Sequence, residues 1–204
     1  VLLLDEPLSN LDPKLREIMR FEIKDLQKKL GLTIVYVTHD QAEAMALSDR
    51  MLVMDMGVVQ QVDTPTSMYN NPANRFVFSF LGLSNFVPVA VHDGTVWPAG
   101  AYGGSLECEI PPDWDDDRAV LAFRPNEIEF ASDGGYRTRI KNRVFLGDYV
   151  EYRMDIGDTE IRIQTHEHKD FGAGDLCGVR LSKVKWYPAE EEVSDDERER
   201  RKVI

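Results

Sequence analysis

Two adjacent acids, Asp5 and Glu6, close the apolar run "VLLL", and a third, Asp12, follows in "PLSNLD". Further along, "TIVYVTHD" closes a second apolar run with Thr38, His39 and Asp40. Carboxylates at a strand end can do two jobs: one holds a divalent cation, directly or through water, and the other polarises a water for attack on a phosphate. Neighbouring residues on a strand point to opposite sides, so Asp5 and Glu6 are expected to divide those jobs. An imidazole at a strand end can donate or accept one proton-bearing contact, which suits it to sensing a phosphate. By itself "LLLDE" equally describes a buried strand running into a helix cap, and a lone histidine is more often a capped or surface group.

These groups need a scaffold that brings two strand ends together. "VLLL" followed by acids reads as a strand covered on both faces in a parallel sheet, and ligand sites form at the carboxyl ends of such strands. Asp12-Pro13 supplies a cap acceptor and a proline at the first helical position, so a helix is predicted from Pro13 to about Leu30, ended by Gly31. Leu15, Ile18, Met19, Ile23, Leu26 and Leu30 recur at spacings of three and four. That places one apolar stripe on the helix and leaves Lys14, Arg16, Glu17, Lys24 and Lys28 facing water. "LTIVYVTHD" reads as a second buried strand, whose polar end lies near Asp5 and Glu6 if the two strands are parallel neighbours.

Asp40 is expected to cap a helix through "QAEAMALS". "RMLVMDMGVVQQVDT" reads as a hairpin turning at Met56-Gly57. Thr64-Pro65 opens a short helix toward Tyr69, Asn70-Asn71-Pro72 breaks it, and "RFVFSFLG" supplies a last helical turn, so this part ends near Leu83. From there the helical spacing gives way to short alternating segments between Gly, Pro and Asp. "FVPVAVHDGTVW" is a hairpin candidate with Asp93-Gly94 at its tip, and "RAVLAFRPNEIEF", "YRTRIKNRVFLGDYVEYRMDI", "TEIRIQTHE" and "LCGVRLSKVKWY" supply further strands. Turns are expected at Gly134-Gly135 and Gly157-Asp158, and a small β-barrel is the expected product. The tail from Glu190 to Lys202 mixes acids and bases without an apolar stripe and reads as a frayed or helical solvated end.

The 204 residues, 43% of them hydrophobic, suit one large or two small globular domains. The formal charge of -12 opposes nucleic-acid phosphate, since no stretch concentrates enough Lys and Arg to reverse the field locally. Cys108 and Cys177 are far apart in sequence and form no metal knuckle, so reduced thiols are expected. No apolar run approaches the roughly 20 residues that span a bilayer. His92, His166 and His168 read as surface groups; His166 and His168 share a strand face but lack a third ligand. Lys141, Arg143, Arg124 and Arg137 could serve a solute or oxyanion sensor, but long basic side chains on strand faces are usually exterior.

"LLLDEP", "SNLD", an amphipathic helix and "TIVYVTHD", in that order, resemble the Walker B strand, D-loop and switch-histidine strand of the ATPase subunits of ABC transporters. The resemblance extends through "QAEAMALSDRMLVMDMGVVQQVDTPTSMYNNPANRFVFSFLG". It implies that residues 1–83 form the carboxyl-terminal part of a P-loop ATPase domain, with parallel strands and helices. By the same resemblance Asp5 is the magnesium-associated acid and Glu6 the catalytic base. Ser9, Asn10, Leu11 and Asp12 form the loop that crosses the dimer interface, and His39 contacts the γ-phosphate. The second part, 84–189, is similar to the TOBE or OB-like regulatory barrel of importers for sugars, polyamines and ferric iron, through "AFRPNEIEF" and "RVFLGDYVEYRMDIGDTEIRIQ". The charged tail, 190–204, follows it.

The resemblance implies ATP and Mg²⁺ as cofactors and a homodimer of ATPase subunits. It also implies transmembrane permease subunits as partners, a periplasmic or extracellular solute-binding protein as an indirect one, and a peripheral place on the cytoplasmic face of the membrane. "FLGLSNFVPV" is closer to polyamine or ferric-iron subunits than to sugar ones. No G-x-x-x-x-G-K-[ST] occurs in the sequence, and neither does the family's glycine-rich signature segment or its glutamine loop. The expectation is therefore a carboxyl-terminal portion of a longer subunit, inactive by itself. The alternative is a non-catalytic regulatory and dimerisation fragment.

Overall fold

A computed structural model of the chain describes residues 1–100, 104–167 and 169–189. The tail expected at 190–204 and His168, expected at the surface, lie outside the described residues. The chain divides into two compact units, the first spanning Val1–Gly82 and the second starting at Leu83. The first mixes helices and strands; the second, among the described residues, consists of strands and their connections. Among the described residues no helix is long and apolar enough to cross a membrane.

In the first unit, β1 (Leu2–Asp5) and β2 (Ile34–Val37) pair in parallel, with Leu2 opposite Ile34 and Asp5 opposite Val37. The connecting helix α1 (Pro13–Leu30) starts where Asp12 caps it: the Asp12 carboxylate accepts the N–H groups of Lys14 and Leu15, both at 3.1 Å. It stops at Gly31, whose φ of 60° is the left-handed value that a side chain would resist. Beyond β2 come α2 (Gln41–Leu47), a hairpin of β3 (Met51–Asp55) and β4 (Val58–Asp63), α3 (Pro65–Asn70) and α4 (Arg75–Phe80). The hairpin closes with Asp55 opposite Val58 and positive φ at both Met56 and Gly57, the backbone that a tight turn between twisted strands requires. Met51, Val53, Met68, Val77 and Leu81 form this unit's core.

Two expectations about burial are overturned here. β1 is not covered on both faces: Leu2 and Leu4 line a groove beneath α1, whereas Leu3 on the opposite face is 73% exposed and Val35 and Val37 are also exposed. The groove lies on one face of the β1–β2 pair, and alternation leaves the side chains of the other face to solvent. The apolar stripe of α1 faces the same groove through Leu15, Met19, Ile23 and Leu26, but none of it is fully buried there. Its half-buried line is Arg16, Met19, Arg20, Ile23, Lys24 and Gln27, while Leu15, Ile18, Leu26 and Leu30 are exposed. Arg16 and Lys24, expected in water, are held by partners on the α2 side. Lys24 donates to the Leu47 carbonyl at 2.7 Å and pairs with Asp49 at 2.8 Å.

The second unit contains β5 (Asn85–His92), β6 (Thr95–Pro98), β7 (Arg118–Phe123), β8 (Ile128–Ala131), β9 (Tyr136–Phe145), β10 (Val150–Ile156), β11 (Thr159–Thr165), β12 (Leu176–Leu181) and β13 (Lys185–Pro188). They form a five-stranded sheet in the order β11-β10-β9-β12-β8 and a four-stranded sheet in the order β13-β7-β5-β6. All named pairs in both sheets are antiparallel. The Asp93-Gly94 tip has positive φ at both residues and sets His92 opposite Thr95. One core serves both sheets, with Val87, Leu121 and Phe123 from one and Tyr152, Ile161 and Ile163 from the other fully buried.

Arg137, Lys141 and Arg143 point outward, but Arg124 does not; it is 3% exposed. Its Nη1 donates to the Leu83 carbonyl at 3.2 Å and to the Ser84 hydroxyl at 2.8 Å, while Glu127 accepts its backbone N–H at 2.7 Å. A buried cation with such partners fixes the entry to the unit. Cys177 is buried and Cys108 half-buried; both are free thiols, and burial pushes each up to about 11.

Candidate functional site

The parallel pairing of β1 and β2 sets two polar strand ends side by side. At the end of β1 the Glu6 N–H continues the ladder to the Val37 carbonyl at 2.8 Å. Glu6 itself leaves the strand with φ of 44°, a left-handed conformation that costs energy for a residue with a side chain. Asp5 and Glu6 therefore diverge through a backbone turn and not through simple strand alternation, as the sequence had led us to expect. The turn places Glu6 Oε1 2.9 Å from Nδ1 of His39. The hydrogen bond and the charge of Glu6 raise the His39 pKa above its ordinary value, even though the ring is open to solvent.

The other expected site residues lie nearby on the chain but are differently engaged. Asp5 closes β1 and is exposed. Ser9 and Asn10 are exposed in a turn where the Ser9 N–H reaches the Glu6 carbonyl at 3.2 Å and the Leu11 N–H reaches the Leu8 carbonyl at 3.2 Å. The Asp12 carboxylate is occupied as the cap of α1. Of the predicted set, Glu6 and His39 alone are joined side chain to side chain among the described residues. Likewise, no group of three or more His, Cys, Asp or Glu converges on a metal-sized site among them. Exposed carboxylates with room for water and phosphate oxygens still fit Mg²⁺, which retains waters and takes few protein ligands.

Behind His39 stands a polar cluster that sequence reasoning passed over. Glu43 is 2% exposed, yet its Oε2 accepts hydrogen bonds from the Tyr36 hydroxyl at 3.0 Å and the Thr38 hydroxyl at 2.9 Å. The Thr38 oxygen in turn accepts the Asp40 N–H at 3.0 Å, and Asp40 Oδ1 caps α2 through the Glu43 N–H at 3.1 Å. Arg16 and Arg20, one helical turn apart on α1, both reach Asp40 Oδ2, at 3.4 and 3.1 Å. Burial would raise the Asp40 pKa, but the Glu43 N–H and the two guanidinium groups hold it below the usual value. Burial and the adjacent Glu43 carboxylate push the Tyr36 phenol well above its ordinary pKa. The signal was present in sequence: Tyr36 and Thr38 share a strand face, Arg16 and Arg20 share a helix face, and Asp40 and Glu43 have the spacing of a capping pair.

No protein-family model matches the chain. It is 39% identical over 191 residues to the spermidine/putrescine import ATP-binding protein of Pseudomonas fluorescens, covering 88% of this chain and 51% of that protein. It is 52% identical over 138 residues to the sn-glycerol-3-phosphate import ATP-binding protein of Chromohalobacter salexigens, covering 66% of this chain and 36% of that one. It is 41% identical over 158 residues to the Fe(3+) ions import ATP-binding protein of Brucella melitensis, covering 76% and 45%. The chain thus spans about half the length, or less, of these curated relatives. Its homologues are ATP-binding import subunits of ABC transporters.

Proposed function

We propose that this chain carries the second half of the nucleotide-hydrolysing domain of an ABC importer subunit, followed by a regulatory barrel of the TOBE or OB-like kind. The observation that supports it most is the Glu6–His39 contact at 2.9 Å across two parallel strand ends, in a chain whose homologues are import ATP-binding proteins. In this reading Asp5 would hold Mg²⁺, and Glu6 would take the proton from the attacking water. His39 moves between the Glu6 carboxylate and the γ-phosphate, and the 9–12 turn faces a second subunit. Mg²⁺ would neutralise charge on the phosphates. Two such subunits would close on ATP and reopen after hydrolysis, driving a membrane permease fed by a solute-binding protein. The chain would then sit peripherally on the cytoplasmic face of the membrane.

The relatives name three chemically unlike solutes at 39–52% identity, which fits specificity residing in the permease and binding protein. Because the 204 residues contain no phosphate-cradling loop, the chain alone is expected neither to bind ATP tightly nor to hydrolyse it. Magnesium-dependent phosphate release by the purified chain, abolished by Glu6→Gln, overturns that expectation. Joined to the upstream half of its Pseudomonas fluorescens relative, the chain is expected to hydrolyse ATP. Glu6→Gln should then lower kcat by about 10²–10⁴-fold, the span of general-base catalysis. Hydrolysis indifferent to Glu6→Gln overturns the assignment.

A further inference from the structure

One guanidinium in the first unit touches two turns at once. Near the start of α1, Arg16 donates from Nη2 to the Leu11 carbonyl at 3.1 Å and from Nη1 to Asp40 Oδ2 at 3.4 Å. Its Nε lies 3.7 Å from Glu43 Oε1, beyond hydrogen-bond reach, and is buried with no hydrogen-bond partner. Leu11 belongs to the 9–12 turn; Asp40 and Glu43 flank and support His39. We propose that Arg16 is a positioning residue that makes the 9–12 turn and the His39 turn shift as one unit, with the buried Glu43 carboxylate as the fixed end of the link.

The fixed end follows from hydrogen bonding. Glu43 is clamped by the Tyr36 and Thr38 hydroxyls, and Thr38 and Asp40, the two chain neighbours of His39, are tied to each other through the Thr38 oxygen. His39 cannot change its backbone without disturbing that cluster. The moving end is the Leu11 carbonyl, one residue before the Asp12 cap, held by a side chain from the helix that the cap begins. Arg20 shares Asp40, but its hydrogen bond goes there and not to the 9–12 turn. Arg16 reaches the carbonyl and the carboxylate through different nitrogens of a planar fork, whereas a lysine brings one nitrogen to every acceptor it serves. The separation between Nε and Glu43 leaves room for the fork to tighten when either turn moves. The functional meaning of the link rests on reading both turns as nucleotide-handling, but the link itself does not.

Amide hydrogen exchange on this chain, without nucleotide, tests it. Asp40→Asn keeps a good cap for α2 while weakening the ion pair to Arg16. The Leu11 amide, which donates to the Leu8 carbonyl, should then exchange about tenfold faster, the scale of one lost hydrogen bond to a charged group. In an Arg16→Lys background the same Asp40→Asn substitution should leave the Leu11 amide where Arg16→Lys alone put it. Glu43→Gln, which preserves shape, should give the same pattern with smaller amplitude. Unchanged amides in the β3–β4 hairpin certify that each variant is folded. The proposal is overturned if Asp40→Asn leaves the Leu11 amide at its wild-type rate, or speeds it equally in both backgrounds. Lysine retains the charge, so rescue by Arg16→Lys would assign Arg16 a purely electrostatic role. Loss of the link with intact Glu6-dependent hydrolysis in the extended protein overturns this inference alone; an intact link with hydrolysis indifferent to Glu6 and His39 overturns the functional reading alone.

Discussion

The two units use equally apolar segments to opposite effect. In the second, Val150, Tyr152, Met154 and Ile156 alternate along β10 and all are fully buried. In the first, Leu3 is 73% exposed, Phe21 70% and Leu30 60%, and α1 buries no residue at all. A hydrophobic pattern marks which face can be covered; contact with a second element decides whether it is. Where that contact exists, as between the sheets of the second unit, burial supplies the stability. Where it does not, α1 is held by its Asp12 and Gly31 caps and by the charged line from Arg16 to Lys24.

The largest expected contrast comes from truncating side chains in the two places. Phe123→Ala in the second unit's core should cost about 3–5 kcal/mol, because removal leaves a cavity that packed neighbours fill only in part. Leu26→Ala on the exposed stripe of α1 should change stability by no more than about 0.5 kcal/mol. Urea denaturation of each variant, followed by tryptophan fluorescence for the second unit and helical circular dichroism for the first, reads both. Equal costs would break the comparison, since they would mean that α1 is covered in solution.

Next in size is the polar anchor of the first unit. Glu43→Ala strands the Tyr36 and Thr38 hydroxyls and removes one of the two carboxylates beside Arg16, and should cost about 2–3 kcal/mol. Glu43→Gln keeps an acceptor and should cost less. Asp12→Ala should cost about 1 kcal/mol through the lost cap, while Asp12→Asn should be close to neutral. If Glu43→Ala proved no worse than Asp12→Ala, the cluster behind His39 would be solvated in practice and the first unit would lack the one rigid point assigned to it.

Local features were legible in the sequence, and facing relations were less so. Asp12, Pro13 and Gly31 mark the ends of α1 because cap chemistry is a property of a few adjacent residues. Met56-Gly57 and Asp93-Gly94 mark hairpins for the same reason. The parallel register that joins Glu6 to His39 was foreseeable from two apolar runs with polar ends on either side of a helix. The half-buried polar line of α1 was not, because periodicity defines an apolar stripe without saying what lies beside it, and here Asp40 and Leu47 at the two ends of α2 engage Arg16, Arg20 and Lys24. Arg124 defeated the usual rule for basic residues because the Leu83 carbonyl and Ser84 hydroxyl offered it a buried seat. Glu43 was hidden by its own capping spacing: Thr38 takes the Asp40 N–H that a capping glutamate would accept, so the carboxylate turns inward to the two hydroxyls.

The smallest effect concerns the Glu6–His39 pair, which is exposed and therefore contributes little to stability. The Glu6 hydrogen bond and charge raise the His39 pKa. A histidine whose folded pKa exceeds its unfolded value of about 6.5 adds stability that is fully present below that pH. The contribution is lost as the pH rises through the folded value. The His39 ring resonance should accordingly titrate above pH 6.5 in the wild-type chain and return toward that value in Glu6→Gln. A midpoint unmoved by Glu6→Gln would mean that the two side chains do not meet in solution, and the left-handed turn at Glu6 would then need another purpose. A midpoint that falls as expected would show that the strained turn holds a carboxylate against an imidazole in the absence of any phosphate. On the proposed reading, a pair poised in that way would exchange its contact for a new one when a phosphate arrives, and the proposed link through Arg16 would pass that exchange to the 9–12 turn.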